Sequence, residues 1–398
     1  MKKNNICGIL NLTEEKLAAY PLTLYRPVAS LPFGCRYRLI DFPLTSMTTA
    51  GVETIGVFAN ESMRSVYDHV RSGKEWGLDS VNGGLFFFSS STAGSGMNPI
   101  HMGKEDIYNY YNNIEFIEKS GAAYVAVMGT RNLCSVDLRA VLRSHIEQGA
   151  AITVVYKALD NLSLEDLTLP CMTIGSDGKV KTLVSPSDSD GGKALVNTEI
   201  YLMRSDLLAK LIRHAIAAGE PCDLRDVIQQ AMIQLPTVGF EYTGYFRSIH
   251  SIKSYYDANM DLLNDAHMTA LLKGTQIIHT KVKNEAPTYY GRTSIVRNTL
   301  AANGCIIKGA VSDSLIFRNV SIEKDASVDR CIIMQGSSIG IGAELQYVIL
   351  DKQVIIEPFT RLIGSREQPI TIEKNSNLSR IVKESESARG KVYHLNER

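Results

Sequence analysis

The chain has 398 residues, and its 42 basic side chains equal its 42 acidic ones, so the formal net charge is zero. This balance argues against nucleic-acid binding, because such proteins usually carry an excess of Lys and Arg. The length suggests two domains, and the 44% of hydrophobic residues suits a globular protein with a large core. The sequence contains no apolar run of about 18 residues and therefore predicts no membrane span. The first residues lack the apolar segment of a secretory signal. The seven cysteines are scattered without a CxxC pair, so we expect no disulfide framework, no structural zinc and a cytoplasmic location.

Up to about residue 275, short apolar stretches alternate with amphipathic ones. This alternation is typical of a parallel sheet covered by helices on both faces, in which ligands bind at the carboxyl ends of the strands. The predicted strands are 6–10, 54–59, 124–128 and 151–156, and the predicted helices are 107–119 and 138–148. The Gly- and Ser-rich stretch 81–104 predicts a long loop, which is either functional or a plain surface excursion.

From about residue 294 the apolar residues recur at intervals of six. The series are Leu300 and Ile306; Ile316, Ile322 and Val328; Ile333, Ile339 and Leu345; and Ile349 and Ile355. A six-residue repeat predicts a parallel β-helix, for which an antiparallel β-domain is the alternative. The pattern therefore divides the chain into a sheet-forming domain (1–265), a helix and linker (266–293) and a β-helix with a C-terminal tail (294–398).

Several segments resemble a known enzyme family. PFGCRYRLIDFPLTSMTTAGVETIGVF (32–58) is similar to the stretch that follows the nucleotide loop in glucose-1-phosphate adenylyltransferases, also called ADP-glucose pyrophosphorylases. RSGKEWGLD (71–79), GYFRSIHSIKSYYDANMDLL (244–263) and the repeat segment 312–340 resemble further blocks of that family. The resemblance implies an α/β fold: a Rossmann-like nucleotidyltransferase domain with a parallel sheet, followed by a left-handed parallel β-helix of hexapeptide repeats.

The nucleotide loop departs from the family's pattern. The resemblance implies a GGxGxRL loop after the first strand, whose backbone N–H groups approach the nucleotide phosphates. The equivalent run here is 8–13, with bulky Ile9, Leu10 and Leu12 and no Arg. Because Ile does not adopt a positive φ cheaply, we expect no phosphate cradle at this loop.

The positions of the family's metal-binding carboxylates also differ. The resemblance implies one Asp after a central strand and one in a YWRDVG motif, which together hold Mg²⁺. Thr130 stands at the first position and Ser248 at the second. Because magnesium sites are usually anchored by carboxylates and substrate phosphates, we predict that this chain has no catalytic residue and no metal site.

The sugar-phosphate pocket that the resemblance implies shows the same trend. The family's FEEKP stretch reads TLVSP at 182–186, so that Val184 and Ser185 replace its charged pair. A family Gly before a later strand becomes Glu199. We expect that substitution to add an unmatched carboxylate near the position of a bound phosphate.

These losses make the chain similar to the non-catalytic GlgD-type subunits of the family. The resemblance implies a regulatory, catalytically deficient subunit of glucose-1-phosphate adenylyltransferase in glycogen biosynthesis, which modulates a catalytic partner subunit. It implies a hetero-oligomer, a tetramer in this family, in which only the catalytic partner binds Mg²⁺. A homo-oligomer is the alternative assembly, and we expect neither a nucleic acid nor a membrane as a partner.

An effector-binding site is compatible with the sequence even without catalysis. Arg26, Arg36 and Arg38 cluster soon after the altered loop, and guanidinium groups suit a phosphorylated metabolite. Arg26 and Arg38 fall where the resemblance places arginines of an activator pocket. The alternative is that these side chains are solvated or form structural ion pairs.

Three other functions compete with a regulatory subunit. The first is an active adenylyltransferase with atypical motifs that uses His250 or Asp41. The second is a hexapeptide acyltransferase, which is disfavoured because its chemistry needs a His base and no His occurs from 281 to 393. The third is a homo-oligomeric sensor that binds a sugar nucleotide.

Overall fold

The computed structural model describes residues 6–13, 19–59, 63–81, 83–89, 106–160, 169–184, 193–219, 222–274 and 276–378. The chain forms two compact units that alternate along the sequence. We call the first the sheet unit (Met1–Glu14, Ile40–Phe246 and Gly274–His279). We call the second the coil unit (Glu15–Leu39, Arg247–Lys273 and Thr280–Arg398). The domain division at 1–265, 266–293 and 294–398 stays a prediction.

Strands and helices alternate over the first two thirds of the chain. The strands are β1 Ile6–Asn11, β2 Pro32–Phe33, β3 Tyr37–Arg38, β4 Thr54–Ala59, β5 Gly84–Ser89, β6 Tyr124–Met128, β7 Asn132–Leu133, β8 Ile152–Leu159, β9 Cys171–Ile174, β10 Val180–Val184, β11 Ala194–Arg204, β12 Thr237–Glu241 and β13 Arg247–Ser248. The helices are α1 Asp41–Thr49, α2 Arg64–Val70, α3 Ile107–Asn112, α4 Glu115–Lys119, α5 Leu138–Glu147, α6 Ser205–Ala218, α7 Leu224–Gln234, α8 Ile252–Met260 and α9 Asp265–Leu272.

The sheet unit is built on a mixed sheet in the order β10–β9–β11–β6–β1–β4–β5, with β8 beside β11 and β12 beside β8. Strands β6, β1, β4 and β5 are parallel, which confirms the predicted parallel sheet. Strand β11, by contrast, runs antiparallel to β6 and to β8. It also pairs antiparallel with β9 of the preceding β9–β10 hairpin. Buried apolar side chains of this sheet and of α3, α6 and α7 form one core.

The predicted boundaries hold where the apolar runs are continuous. Strands 54–59 and 124–128 are confirmed to the residue, whereas the strand predicted at 151–156 runs from Ile152 to Leu159. The helix predicted at 107–119 is two helices, α3 and α4. Asn113 ends α3, and its Nδ2 donates to the Asn109 carbonyl at 2.8 Å. This side chain competes with the backbone for hydrogen bonds, which explains the break.

The coil unit contains the hexapeptide repeats. Its strands are β14 Tyr289–Tyr290, β15 Ile295–Arg297, β16 Leu300–Ala301, β17 Ile306–Ile307, β18 Ala310–Ser312, β19 Leu315–Ile316, β20 Ser321–Ile322, β21 Ser327–Asp329, β22 Ile332–Ile333, β23 Ser338–Ile339, β24 Glu344–Gln346, β25 Val348–Leu350, β26 Ile355–Ile356, β27 Arg361–Ile363, β28 Ile370–Ile372 and β29 Asn377–Leu378. Every third strand pairs in parallel, which gives three sheets along the repeats. Three parallel sheets connected in this order agree with the predicted left-handed β-helix, and the antiparallel alternative is wrong.

The apolar six-residue series do not all face the core of the repeats. The series that include Ile322 and Ile339 point into the core. Ile306 and Ile355, however, are 44% and 48% exposed, and the next residue in each strand is buried instead. Successive side chains of a strand point to opposite faces, so a shift of one residue turns each side chain from the core to the surface.

A hairpin of β2 and β3 is fixed to helix α8 inside the coil unit. The Gly34 N–H donates to Asn259 Oδ1 at 3.0 Å, and Tyr255 Oη donates to the Pro32 carbonyl. Tyr255 and Asn259 are fully buried. These contacts hold β3, which carries Arg38, in a fixed position within this unit.

Two further predictions can be compared with the described residues. All seven cysteines are free thiols in the structure, and six of them are buried. Over the part of the chain that the structure describes, no helix is long and apolar enough to cross a membrane.

Candidate functional site

The run that aligns with the nucleotide loop is not a loop in the sheet unit. Ile9 and Leu10 are fully buried in β1, and the Leu12 N–H donates to a carbonyl of the adjoining strand β4 at 2.8 Å. A Cβ atom at Gly8 would lie 2.6 Å from Met47 Sδ, so this glycine permits close packing on α1. Residues 8–12 therefore stabilise the sheet, and their N–H groups do not form a phosphate cradle.

Two carboxylates lie beyond the end of β1. Thr13 Oγ1 donates to Asp106 at 2.8 Å, and the Leu224 N–H donates to the other oxygen of Asp106 at 2.6 Å. Asp223 caps α7 and accepts the Asp106 N–H at 3.0 Å. Burial, assisted by the nearby Asp223 and opposed by the hydrogen bonds, raises the pKa of Asp106 to about 6. Both oxygens of Asp106 are thus used within the protein.

The side chains at the family's metal positions do not fit Mg²⁺. Thr130, which follows β6, is a buried neutral residue. Ser248 is also buried, and within the described part of the chain its hydroxyl has no hydrogen-bond partner. Among those same residues, no group of three His, Cys, Asp or Glu side chains is arranged to hold a metal ion. A hydroxyl brings no negative charge, whereas a resident Mg²⁺ is anchored by carboxylates.

Asp41 and His250 are the residues that an active enzyme with atypical motifs would use instead. The Asp41 carboxylate is fully buried and lies 2.6 Å from Nε2 of His69. It therefore stabilises the packing of α1. His250 precedes α8 and is half-buried.

Glu199 stands at an irregular point of strand β11. The register between β11 and β8 shifts between Asn197 and Ile200, and Glu199 has a φ of +58°. Few residues other than Gly adopt this left-handed conformation easily. The Glu199 N–H donates to Asn197 Oδ1 at 2.8 Å, and Asn132 Nδ2 donates to the Thr198 carbonyl at 2.8 Å. These bonds fix the bulge and direct the Glu199 side chain.

The Glu199 carboxylate is matched by two guanidinium groups. Its Oε1 lies 2.8 Å from Arg131 Nη2 and 3.4 Å from Arg225 Nη1. The prediction of an unmatched carboxylate is therefore wrong, because the sequence does not reveal that residues 131 and 225 converge on position 199. Val184 ends the edge strand β10, and Ser185 lies outside the described residues.

A basic cluster lies within the coil unit. Arg26 is 6% exposed, forms an ion pair with Asp351 and donates its Nε–H to the Leu22 carbonyl at 2.7 Å. Burial and, to a smaller extent, the neighbouring Arg38 and Arg26 lower the pKa of Lys352 to about 7. Lys374 acts on Lys352 in the same direction. We call Arg26, Arg38, Lys352 and Lys374 the basic cluster.

The three arginines singled out from the sequence thus differ in their surroundings. Arg26 and Arg38 belong to the basic cluster, whereas Arg36 is exposed and its guanidinium lies 5.9 Å from the centroid of the Tyr37 ring. The sequence analysis did not identify Lys352 and Lys374. Both lysines stand in turns of the later repeats, outside the segments that carry the family resemblance.

Comparison with known proteins agrees with this architecture. Residues 18–265 match the nucleotidyl transferase family, and residues 283–369 match the GlmU-like C-terminal hexapeptide family. The fold and these two matches thus define a nucleotidyltransferase chain with a hexapeptide-repeat domain.

More specific relatives cover nearly the whole chain. It is 30% identical over 379 residues to the glycogen biosynthesis protein GlgD of Bacillus subtilis (strain 168). The aligned region covers 94% of this chain and 97% of the relative. It is 32% identical to the GlgD protein of Geobacillus stearothermophilus, with the same two coverages. The glucose-1-phosphate adenylyltransferase of Bacillus cytotoxicus is 25% identical and covers 90% of this chain and 94% of the relative. The chain belongs to the glucose-1-phosphate adenylyltransferase family and is similar to its GlgD members.

Proposed function

We propose that this chain is a regulatory, catalytically deficient subunit of glucose-1-phosphate adenylyltransferase that acts in glycogen biosynthesis. Its partner in this proposal is a catalytic subunit that makes ADP-glucose and diphosphate from ATP and glucose 1-phosphate. The two chains form a hetero-oligomer, for which the family suggests a tetramer. The similarity to the GlgD proteins and to glucose-1-phosphate adenylyltransferases supports the pathway and the partner.

One observation supports the proposed catalytic deficiency. The groups that would bind the nucleotide phosphates and Mg²⁺ are replaced by apolar or neutral residues. Apolar strand residues replace the glycine loop, and Thr130 stands where the metal carboxylate is expected. Metal ions and positioned donors stabilise the charge that develops on transferred phosphates, by several kcal/mol. Each loss of about 1.4 kcal/mol lowers the rate about tenfold. In this proposal Mg²⁺ binds only at the catalytic partner.

The basic cluster supports a regulatory role. Clustered guanidinium and ammonium groups bind phosphate esters through charge-assisted hydrogen bonds. Burial is the main cause of the lowered pKa of Lys352, and the nearby Arg38, Arg26 and Lys374 lower it as well; a bound anion offsets the repulsion among these cations. We propose that a phosphorylated metabolite binds this cluster and changes the activity of the partner subunit.

The decisive assay measures ADP-glucose formation from ATP, Mg²⁺ and glucose 1-phosphate. The chain is expressed in a host that lacks its own glucose-1-phosphate adenylyltransferase, and is assayed alone and co-purified with a catalytic family member of the same genome. We expect no turnover from the chain alone and an altered rate or metabolite response of the partner in the complex. Turnover by the chain alone, or a partner that neither binds it nor changes its response, contradicts the proposal.

A matched control separates regulation from assembly. Lys352→Gln removes a charge of the basic cluster, and Lys324→Gln removes one at an exposed position of the repeats. Both variants should co-purify with the partner. Only Lys352→Gln should change the response of the complex to phosphorylated metabolites.

A further inference from the structure

The Glu199 carboxylate lies between two guanidinium groups that belong to different parts of the sheet unit. Arg131 follows β6, and Arg225 lies in the first turn of α7. The side chains of Glu199 and Arg131 are 12% and 20% exposed, whereas that of Arg225 is 44% exposed. The group is therefore shielded on the side of the sheet and open to solvent at Arg225.

Both guanidinium groups approach the same carboxylate oxygen, Oε1. A second carboxylate, that of Asp226, lies 3.9 Å from Arg225 Nε, at the limit of an ion pair. Two planar guanidinium forks that converge on one oxygen suit an anion with several acceptor oxygens and two negative charges. A phosphate monoester matches this description better than a single carboxylate does.

The backbone presents this carboxylate in a fixed place. A left-handed conformation is unfavourable for Glu, yet the Asn197 and Asn132 hydrogen bonds hold the bulge in this form. Glycine would adopt the same φ without a side chain. The chain thus carries, at a position that suits Gly, a side chain that ends between the two arginines.

We propose that Glu199 is a tethered anion that occupies a phosphate-monoester site formed by Arg131 and Arg225. The carboxylate neutralises the two guanidinium groups and fills the space between them. This inference deepens the proposed function, since it gives a reason why the chain does not take up a sugar phosphate in the sheet unit. Removal of the carboxylate should open the site.

The test uses the full chain and isothermal titration calorimetry with inorganic phosphate, glucose 1-phosphate and glucose as separate probes. The main variant is Glu199→Gly, which suits the observed φ, and Glu199→Asn is a second variant because Asn also tolerates this conformation. We expect either variant to gain a phosphate-binding event with an affinity at least about tenfold above that of the unaltered chain. Equal affinities for inorganic phosphate and glucose 1-phosphate would indicate an anion site alone, whereas tighter binding of glucose 1-phosphate would indicate a sugar pocket beside it.

Two further variants assign the gain to this site rather than to the basic cluster. Adding Arg225→Gln to Glu199→Gly should abolish the new binding event. Glu118→Ala frees the guanidinium of Arg213 at an exposed ion pair of the same unit and should gain no binding. The proposal is overturned if the folded Glu199 variants bind phosphate no better than the unaltered chain, or if the gain survives Arg225→Gln. Neither outcome depends on the partner assay, so a failure here and a failure of the proposed function are distinguishable.

Discussion

The sheet unit and the coil unit differ in how their clustered positive charges are compensated. At Glu199 in the sheet unit, an internal carboxylate compensates Arg131 and Arg225. In the basic cluster of the coil unit, Arg26 is paired with Asp351, and burial together with the neighbouring Arg38 and Arg26 lowers the pKa of Lys352 to about 7. Anion binding needs positive charge that the protein has not already neutralised. In the proposed function, the basic cluster therefore keeps charge that an anion can use, whereas Glu199 already compensates the two guanidinium groups of the sheet unit.

The largest expected effect comes from breaking the buried ion pair of the basic cluster. Arg26→Ala leaves the carboxylate of Asp351, which is 3% exposed, without its guanidinium partner. An uncompensated buried charge costs about 3–5 kcal/mol, so the free energy of unfolding in urea should fall by that amount. As a control, Arg361→Ala breaks an exposed pair with Glu344 and should change stability by about 0.5 kcal/mol or less. Similar losses in both variants would mean that Arg26 has no special structural role.

The next effect concerns the pH dependence of the sheet unit. Burial raises the pKa of Asp106 from 3.8 to about 6, so between these values the folded chain holds a proton that the unfolded chain releases. Stability should therefore fall as the pH rises from about 4 to 6, by roughly 2–3 kcal/mol.

Asp106→Asn tests this dependence, because the amide keeps an acceptor for the Leu224 N–H and donates to Thr13 Oγ1. This variant should unfold at a higher temperature than the unaltered chain at pH 7, and its stability should change less between pH 4 and 6. Asp79→Asn, at an exposed position, is the control and should keep the slope. A steeper slope, or a loss of stability at pH 7, would contradict the expected cost of burying the ionised Asp106.

A smaller effect concerns anion affinity at the basic cluster, with sulfate as a probe whose own charge is constant. Since the pKa of Lys352 lies near 7 in the free chain, its ammonium loses the proton as the pH rises above 7. Sulfate affinity should therefore fall between pH 6 and 9. Lys352→Gln should weaken binding about tenfold at pH 6 and remove most of this pH dependence.

The exposed Lys324→Gln variant should bind sulfate like the unaltered chain at both pH values. If sulfate bound equally well to the Lys352→Gln variant, the cluster would be a structural group of cations. The contrast between the two units would then be lost.

The sequence by itself determined the fold class and much of the architecture. Continuous apolar runs placed the strands 54–59 and 124–128, and the six-residue spacing identified the repeats. Both signals are local, because the burial of a strand can be recognised from the order of apolar and polar residues along that strand. The family resemblance likewise rested on contiguous segments, and it matched the relatives found by comparison.

Only the tertiary structure decided how the charges are paired. Glu199 lies 68 residues from Arg131, and Arg26 lies 325 residues from Asp351, so no local pattern predicts either ion pair. The same holds for Lys352, which the sequence analysis missed, and for the one-residue shift that exposes Ile306 and Ile355. Periodicity identifies the strands and the repeats, whereas the exact inward-facing position and the partner of a buried charge depend on how distant segments pack against each other.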